Sequence, residues 1–131
     1  MLPKHIKQVQ RRSRHLRARK VGLSIMVDSA TEVPGRYVVT IRYNPTSDTI
    51  TAYCSCNWGN HHGVACSHVM AALEMMAAQK GRSLSYWLTE DEARRQRHKR
   101  FYLTRGDDAE GVWITSRPTP RANVKPQRIA A

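Results

Sequence analysis

The chain predicts a small α+β fold: a β-hairpin or three-stranded sheet with a packing helix, then a second, basic helix and flexible basic ends. Three observations predict it. Residues 36–53 alternate in the manner of strands around a run of turn residues. From Ser67 onward the apolar residues recur with a helical period. Between these stretches stand Cys54, Cys56, Cys66 and His68, and the chain has only 3 cysteines, too few and too clustered for a disulfide framework.

The first segment is basic. Residues 1–20 hold Lys4, Lys7, Arg11, Arg12, Arg14, Arg17, Arg19 and Lys20 and no acid. Lys4, Lys7, Arg11 and Arg14 share one helical face, and Ile6, Val9 and Leu16 form an apolar stripe interrupted by Ser13. So narrow a stripe predicts a helix that forms on a partner. An Arg-rich, acid-free start also fits an organellar transit peptide, and Val21–Val27 resembles the apolar core of a signal peptide. That core is barely long enough, and no small-residue cleavage site follows closely. No apolar run approaches the 18 or so residues of a membrane span. A soluble, reducing compartment is expected: the cytoplasm, with nucleus or nucleoid also compatible.

The strands come next. Tyr37, Val39, Ile41 and Tyr43 alternate with Val38, Thr40 and Arg42, so Arg36–Tyr43 reads as a strand. Asn44-Pro45-Thr46-Ser47-Asp48 is turn chemistry, and the β-branched Thr49–Tyr53 reads as the returning strand. Leu23–Val27 predicts a third strand. Beyond the Trp58–Ala65 loop, Val69, Leu73, Met76 and Ala77 define one face of an Ala-rich helix, with Gly81 placed to end it. Thr89-Glu90-Asp91-Glu92 is a capping box for a second helix, expected to run to about Tyr102. Val112–Thr115 reads as a last short strand. From Ser116 onward three prolines and scattered bases predict a disordered tail. The expected organisation is a basic segment (1–20), a metal-binding domain (21–88), a basic helix with a short strand (89–115) and a basic tail (116–131).

Cys54-Ser-Cys56, nine residues, then Cys66-Ser-His68 is a ligand pattern for zinc, which prefers a closed tetrahedron of thiolate and imidazole in structural sites. Residues i and i+2 of a strand point the same way, so Cys54 and Cys56 can face one ion if the chain curls around Ser55. In a helix, i and i+2 lie about 200° apart, so Cys66 must sit before the helix or at its cap, with His68 in the first turn. His61 and His62, within the loop, are alternative fourth ligands. A catalytic Cys66–His68 pair would lack a visible third member and an oxyanion motif. A zinc deaminase would need His-x-Glu and Pro-Cys-x-x-Cys, and neither is present. No enzymatic constellation is visible, so the chain is expected not to be an enzyme.

The pattern Cys54-x-Cys56…Cys66-x-His68, with a hairpin before it and an Ala/Leu-rich helix after it, resembles the SWIM-type zinc finger over roughly 37–80. The resemblance implies a structural zinc held by these four residues and a role in binding DNA or protein.

The charge points the same way. The chain carries 22 Lys+Arg against 10 Asp+Glu, a formal charge of +12, and most of it lies on the flanks. Besides the N-terminal cluster, residues 94–105 hold Arg94, Arg95, Arg97, Lys99, Arg100 and Arg105. Such a balance implies an anionic partner. The expected function is a zinc-stabilised module that binds nucleic acid, DNA rather than RNA, with little sequence readout. Lys4, Lys7, Arg11, Arg12, Arg14, Arg94, Arg95, Arg97, Lys99 and Arg100 are the candidate phosphate contacts. The alternative is a protein-interaction module docking on a larger DNA-processing enzyme. Trp58 is expected to pack over the metal site, and Tyr86, Trp87, Phe101 and Tyr102 mostly to make core contacts. Met70, Met75 and Met76 are read as helix packing.

Overall fold

The computed structural model describes residues 5–22, 24–29, 36–56, 65–105 and 111–119. The elements in chain order are α1 (Ile6–Ser13), β1 (Leu16–Val21), β2 (Ser24–Ser29), β3 (Arg36–Asn44), β4 (Thr49–Cys54), α2 (Ser67–Gln79), β5 (Arg82–Trp87), α3 (Glu90–Arg94), β6 (Lys99–Thr104) and β7 (Val112–Pro118). The class is α+β as expected, but the sheet is larger. Its 7 strands run in the order β1-β2-β3-β4-β6-β7-β5. β4 and β6 pair in parallel; the other neighbours are antiparallel.

The hairpin forms where its residues predict. Asn44 pairs with Thr49, Ile41 with Ala52 and Val39 with Cys54. The Asn44 side chain accepts from the Thr46 N–H at 2.9 Å and closes the turn. This register puts Tyr37, Val39, Ile41, Ala52 and Cys54 on one face. Val38, Thr40, Arg42 and Tyr53 fall on the other, because side chains alternate along a strand.

Helix α2 lies on the first of these faces. Val69, Met70, Ala71, Ala72 and Leu73 are all buried, five in succession, which a helix resting one stripe on a flat sheet cannot achieve. Strands at both edges of the sheet, β1 and β5, touch α2, as do β2, β3, β4 and α1. The sheet therefore curls around the helix. The single apolar stripe read from the sequence understates its burial, and the alanines are the reason so many elements can approach closely. Met70 and Tyr86 are fully buried, and the Tyr86 hydroxyl donates to the Met70 carbonyl at 3.4 Å. Gly81, at φ +71°, follows the helix C-cap in the left-handed conformation that glycine adopts without steric cost.

The N-terminal segment belongs to the fold. The partner on which α1 forms is the chain's own α2 and β5, with Ile6, Gln10 and Ser13 buried. Gln10 Nε2 donates to the Leu84 carbonyl at 2.8 Å, satisfying an acceptor on β5, which ends the sheet. Leu16 belongs not to this helix but to β1, where Leu16 and Ala18 are half-buried and Arg17 and Arg19 exposed.

The second helix starts at its predicted capping box: Thr89 Oγ1 accepts from the Glu92 N–H at 3.2 Å, and Glu92 reaches back to the Thr89 N–H. It ends at Arg94 rather than near Tyr102. Arg97 turns the chain at φ 58°, and Lys99–Thr104 becomes a strand between β4 and β7. Tertiary pairing overrides helical continuation here: Phe101 pairs with Ile114 and Leu103 with Val112, all on the core face. Ser116 and Arg117 lie in β7 rather than in a tail.

Candidate metal centre

β3, β4 and α2 converge on Cys54, Cys56, Cys66 and His68. Cys54 is the last residue of β4, on the core face opposite Val39. The chain leaves the strand at Ser55, whose N–H donates to the Val38 carbonyl at 3.1 Å and whose Oγ accepts from the Val38 N–H at 3.0 Å. That pair of bonds holds the bend which brings Cys56 round beside Cys54.

Cys66 is the N-cap of α2. Its Sγ accepts from the Val69 N–H at 3.4 Å, and His68 sits in the first turn with Nδ1 at 3.8 Å from that sulfur. The geometry is the one the i, i+2 spacing demanded. Exposed backbone N–H groups and the helix dipole favour a thiolate at this position.

The four ligand atoms lie within 4.8 Å of one another, and the three cysteines are buried. Zinc–sulfur bonds of about 2.3 Å require ligand atoms about 3.8 Å apart, so the cluster needs only small adjustments to close on an ion. The thiols also crowd each other. Cys54 is pushed far up, first by hydrogen bonding to Cys56 and then to Cys66, with burial adding to it. Cys66 feels a downward pull from Cys54, outweighed by Cys56 and burial, and ends up at about 11. A divalent cation reverses this balance, because it binds thiolate and neutralises the repulsion. Three soft sulfurs and one imidazole fit zinc in a closed structural site. There the ion would tie the end of β4 to the start of α2.

Tyr37 is a member of the site that the sequence did not single out. Its ring lies 4.1 Å from that of His68, tilted by 40°. The strand period placed it on the core face, but only the fold brings the first turn of α2 against it. His61, His62 and Trp58 lie outside the described residues, so the fourth ligand among the described residues is His68.

The structure describes nine of the ten candidate phosphate contacts. Lys4 lies outside the described residues. Lys7 stands 3.6 Å over the Trp87 ring, and burial lowers its pKa. Arg11, Arg12 and Arg14 are exposed at the end of α1. Arg94 pairs with Glu90 at 3.2 Å and Asp91 at 4.0 Å, and Lys99 pairs with Asp48 at 2.9 Å. Arg95 and Arg97 are exposed, while Arg100 is half-buried in β6 opposite Thr115. No helix among the described residues is long and apolar enough to cross a membrane.

Residues 37–77 match the family model of the SWIM zinc finger. Comparisons of the chain with curated proteins and with solved structures find no match. The matched segment starts at the tyrosine that stacks on His68, contains all four ligands and ends near the close of α2. The chain thus carries a SWIM zinc finger at residues 37–77, with zinc as the ion of the Cys54, Cys56, Cys66 and His68 cluster.

Proposed function

We propose that this chain is a non-enzymatic nucleic-acid-binding module, preferring DNA, whose zinc finger fixes the fold while basic side chains neutralise phosphates without reading sequence. The observation that carries this reading is the exposed basic run from α1 into β1. Arg11, Arg12 and Arg14 end the helix, and Arg17, Arg19 and Lys20 follow on the edge strand. Strand alternation and register put Arg17 and Arg19 on the outer sheet face, away from α2, together with Arg42 of β3. Asp28 is the acid that faces Arg17 across β2. Farther along the same face Arg105 lies 4.9 Å over the ring of Tyr53, a residue 39% exposed, so an aromatic side chain adjoins the cations. The C-terminal cluster contributes less, because Arg94 and Lys99 are already engaged by acids.

A salt titration of the zinc-loaded protein on short single- and double-stranded DNA and RNA tests this. Log affinity should fall linearly with log salt, at about 0.9 slope units per phosphate contact on duplex DNA. Replacing Arg19 and Arg42 with glutamate should lower the slope by about 2 units or more if both touch phosphate. Weak, salt-insensitive binding to every form would overturn the reading.

A further inference from the structure

The opposite face of the sheet carries a second feature. Between the C-terminal half of α2 and the sheet lies an open groove of about 350 Å³. Its walls are Ile41, Ile50, Leu84, Phe101, Leu73 and Met76. Met76 is 38% exposed, and Tyr43 at the same mouth is 49% exposed. Apolar surface so placed is costly in water and is the usual lining of a small-molecule site, whose volumes start at about 300 Å³.

The charged side chains that line the groove are of one sign. Among the described residues Lys80, Arg82 and Lys99 line it, and no acid does. Arg82 is preorganised: Nε donates to Ser116 Oγ at 2.6 Å and Nη2 to the Ser116 carbonyl at 2.9 Å. The nearby carboxylate, Asp48, is already engaged, accepting from the Tyr43 hydroxyl at 2.8 Å and from Lys99 at 2.9 Å. Lys80 is exposed at the helix end, where the last carbonyls of α2 favour a cation. An apolar trough with a cationic rim is complementary to a molecule with an apolar body and one negative end.

We infer that this groove binds a small amphipathic monoanion, a medium-chain or aromatic carboxylate. Its apolar body lies against Ile50, Leu84 and Phe101, and its carboxylate faces Lys80 and Arg82. The inference is independent of nucleic-acid binding, because the groove and the outer arginines lie on opposite faces of the sheet.

The test uses the full zinc-loaded chain with two probes, the fluorescent anion 1-anilinonaphthalene-8-sulfonate and decanoate. The expected result is saturable fluorescence enhancement near one probe per chain, reversed by decanoate but not by equal decanol. Lys80→Glu, at an exposed position, should weaken decanoate by at least about fivefold, since it removes a favourable charge and adds a repulsive one. Ala77→Phe, which fills the groove from the helix side, should abolish binding while a cooperative thermal transition persists. Non-saturable enhancement, decanol competing as well as decanoate, or both variants binding like the parent would overturn the assignment. So would displacement of the probe by acidic amphipathic peptides but not by decanoate.

Discussion

Cys66 caps the helix that carries His68: its sulfur accepts the Val69 N–H at 3.4 Å and lies 3.8 Å from His68 Nδ1. One residue thus starts α2 and helps hold its first imidazole at the metal. The metal centre and the central helix are consequently one structural unit.

Removing that sulfur should therefore cost more than a ligand. Cys66→Ser is expected to lose zinc and cooperative unfolding together, since structural zinc contributes on the order of 10 kcal/mol in small zinc domains. Metal analysis should give about one zinc per wild-type chain, and a chelator should reproduce the variant's melting behaviour. A metal-free wild type with an unchanged transition would refute the structural role.

Tyr37 packs its ring against His68 at 4.1 Å and supplies none of the four ligand atoms. Tyr37→Ala should retain zinc but bind it about fivefold more weakly, the equivalent of about 1 kcal/mol for an aromatic pair. Tyr37→Phe should restore the affinity, because the stacking ring is kept. Competition with a chromophoric chelator reads both.

Glu74 sets a pH dependence under α1. Burial raises its pKa, against the pull of Arg14 and of hydrogen bonds from Gln10 and Ser13. A carboxyl whose pKa is raised in the folded state contributes stability that is present below its unfolded value and lost as pH rises through the folded one. Glu74→Gln should match wild type in acid and become the more stable protein as pH rises above about 4.5, the unperturbed value. Urea midpoints of the two proteins across pH 4–8 check the sign; a difference that shrinks toward neutrality would refute it.

Gly111 is required by space. A Cβ there would collide with the Leu103 carbonyl and stand 2.7 Å from the Tyr102 hydroxyl, which itself accepts the Gly111 N–H at 2.9 Å. Gly111→Ala should destabilise the domain by about 1–3 kcal/mol, the usual cost of overpacking. Thermal unfolding of the zinc-loaded variant measures it, and an unchanged transition would show that the β6–β7 junction can yield.

The metal centre was legible in the sequence because it is nearly local. Cys54 and Cys56 share a strand end, Cys66 and His68 share a helix start, and ligand chemistry left few alternatives. The β3–β4 hairpin, α2 and the start of α3 were legible for the same reason: turn residues, helical period and capping box each act over a few residues. Three strands were not. In β1 the alternation of Leu16 and Ala18 with Arg17 and Arg19 is masked by the helical spacing of the bases before it, in β5 the alternation of Leu84 and Tyr86 with serines spans only a few residues, and β6 follows a helix-start signal with no glycine or proline to stop it. β5 and β6 become strands through partners distant in sequence, above all the parallel pairing of Ile50 with Leu103, whereas β1 is held by folding back on its neighbour β2. Donor chemistry at short spacing was enough to name zinc and its three cysteine ligands, and it left His68, His61 and His62 as choices for the fourth. It took the folded chain to bring His68 to the three sulfurs, to curl the strands around α2, to set Tyr37 against His68, and to turn the basic run and the apolar groove to opposite faces. Those relationships depend on long-range register, which no local pattern encodes.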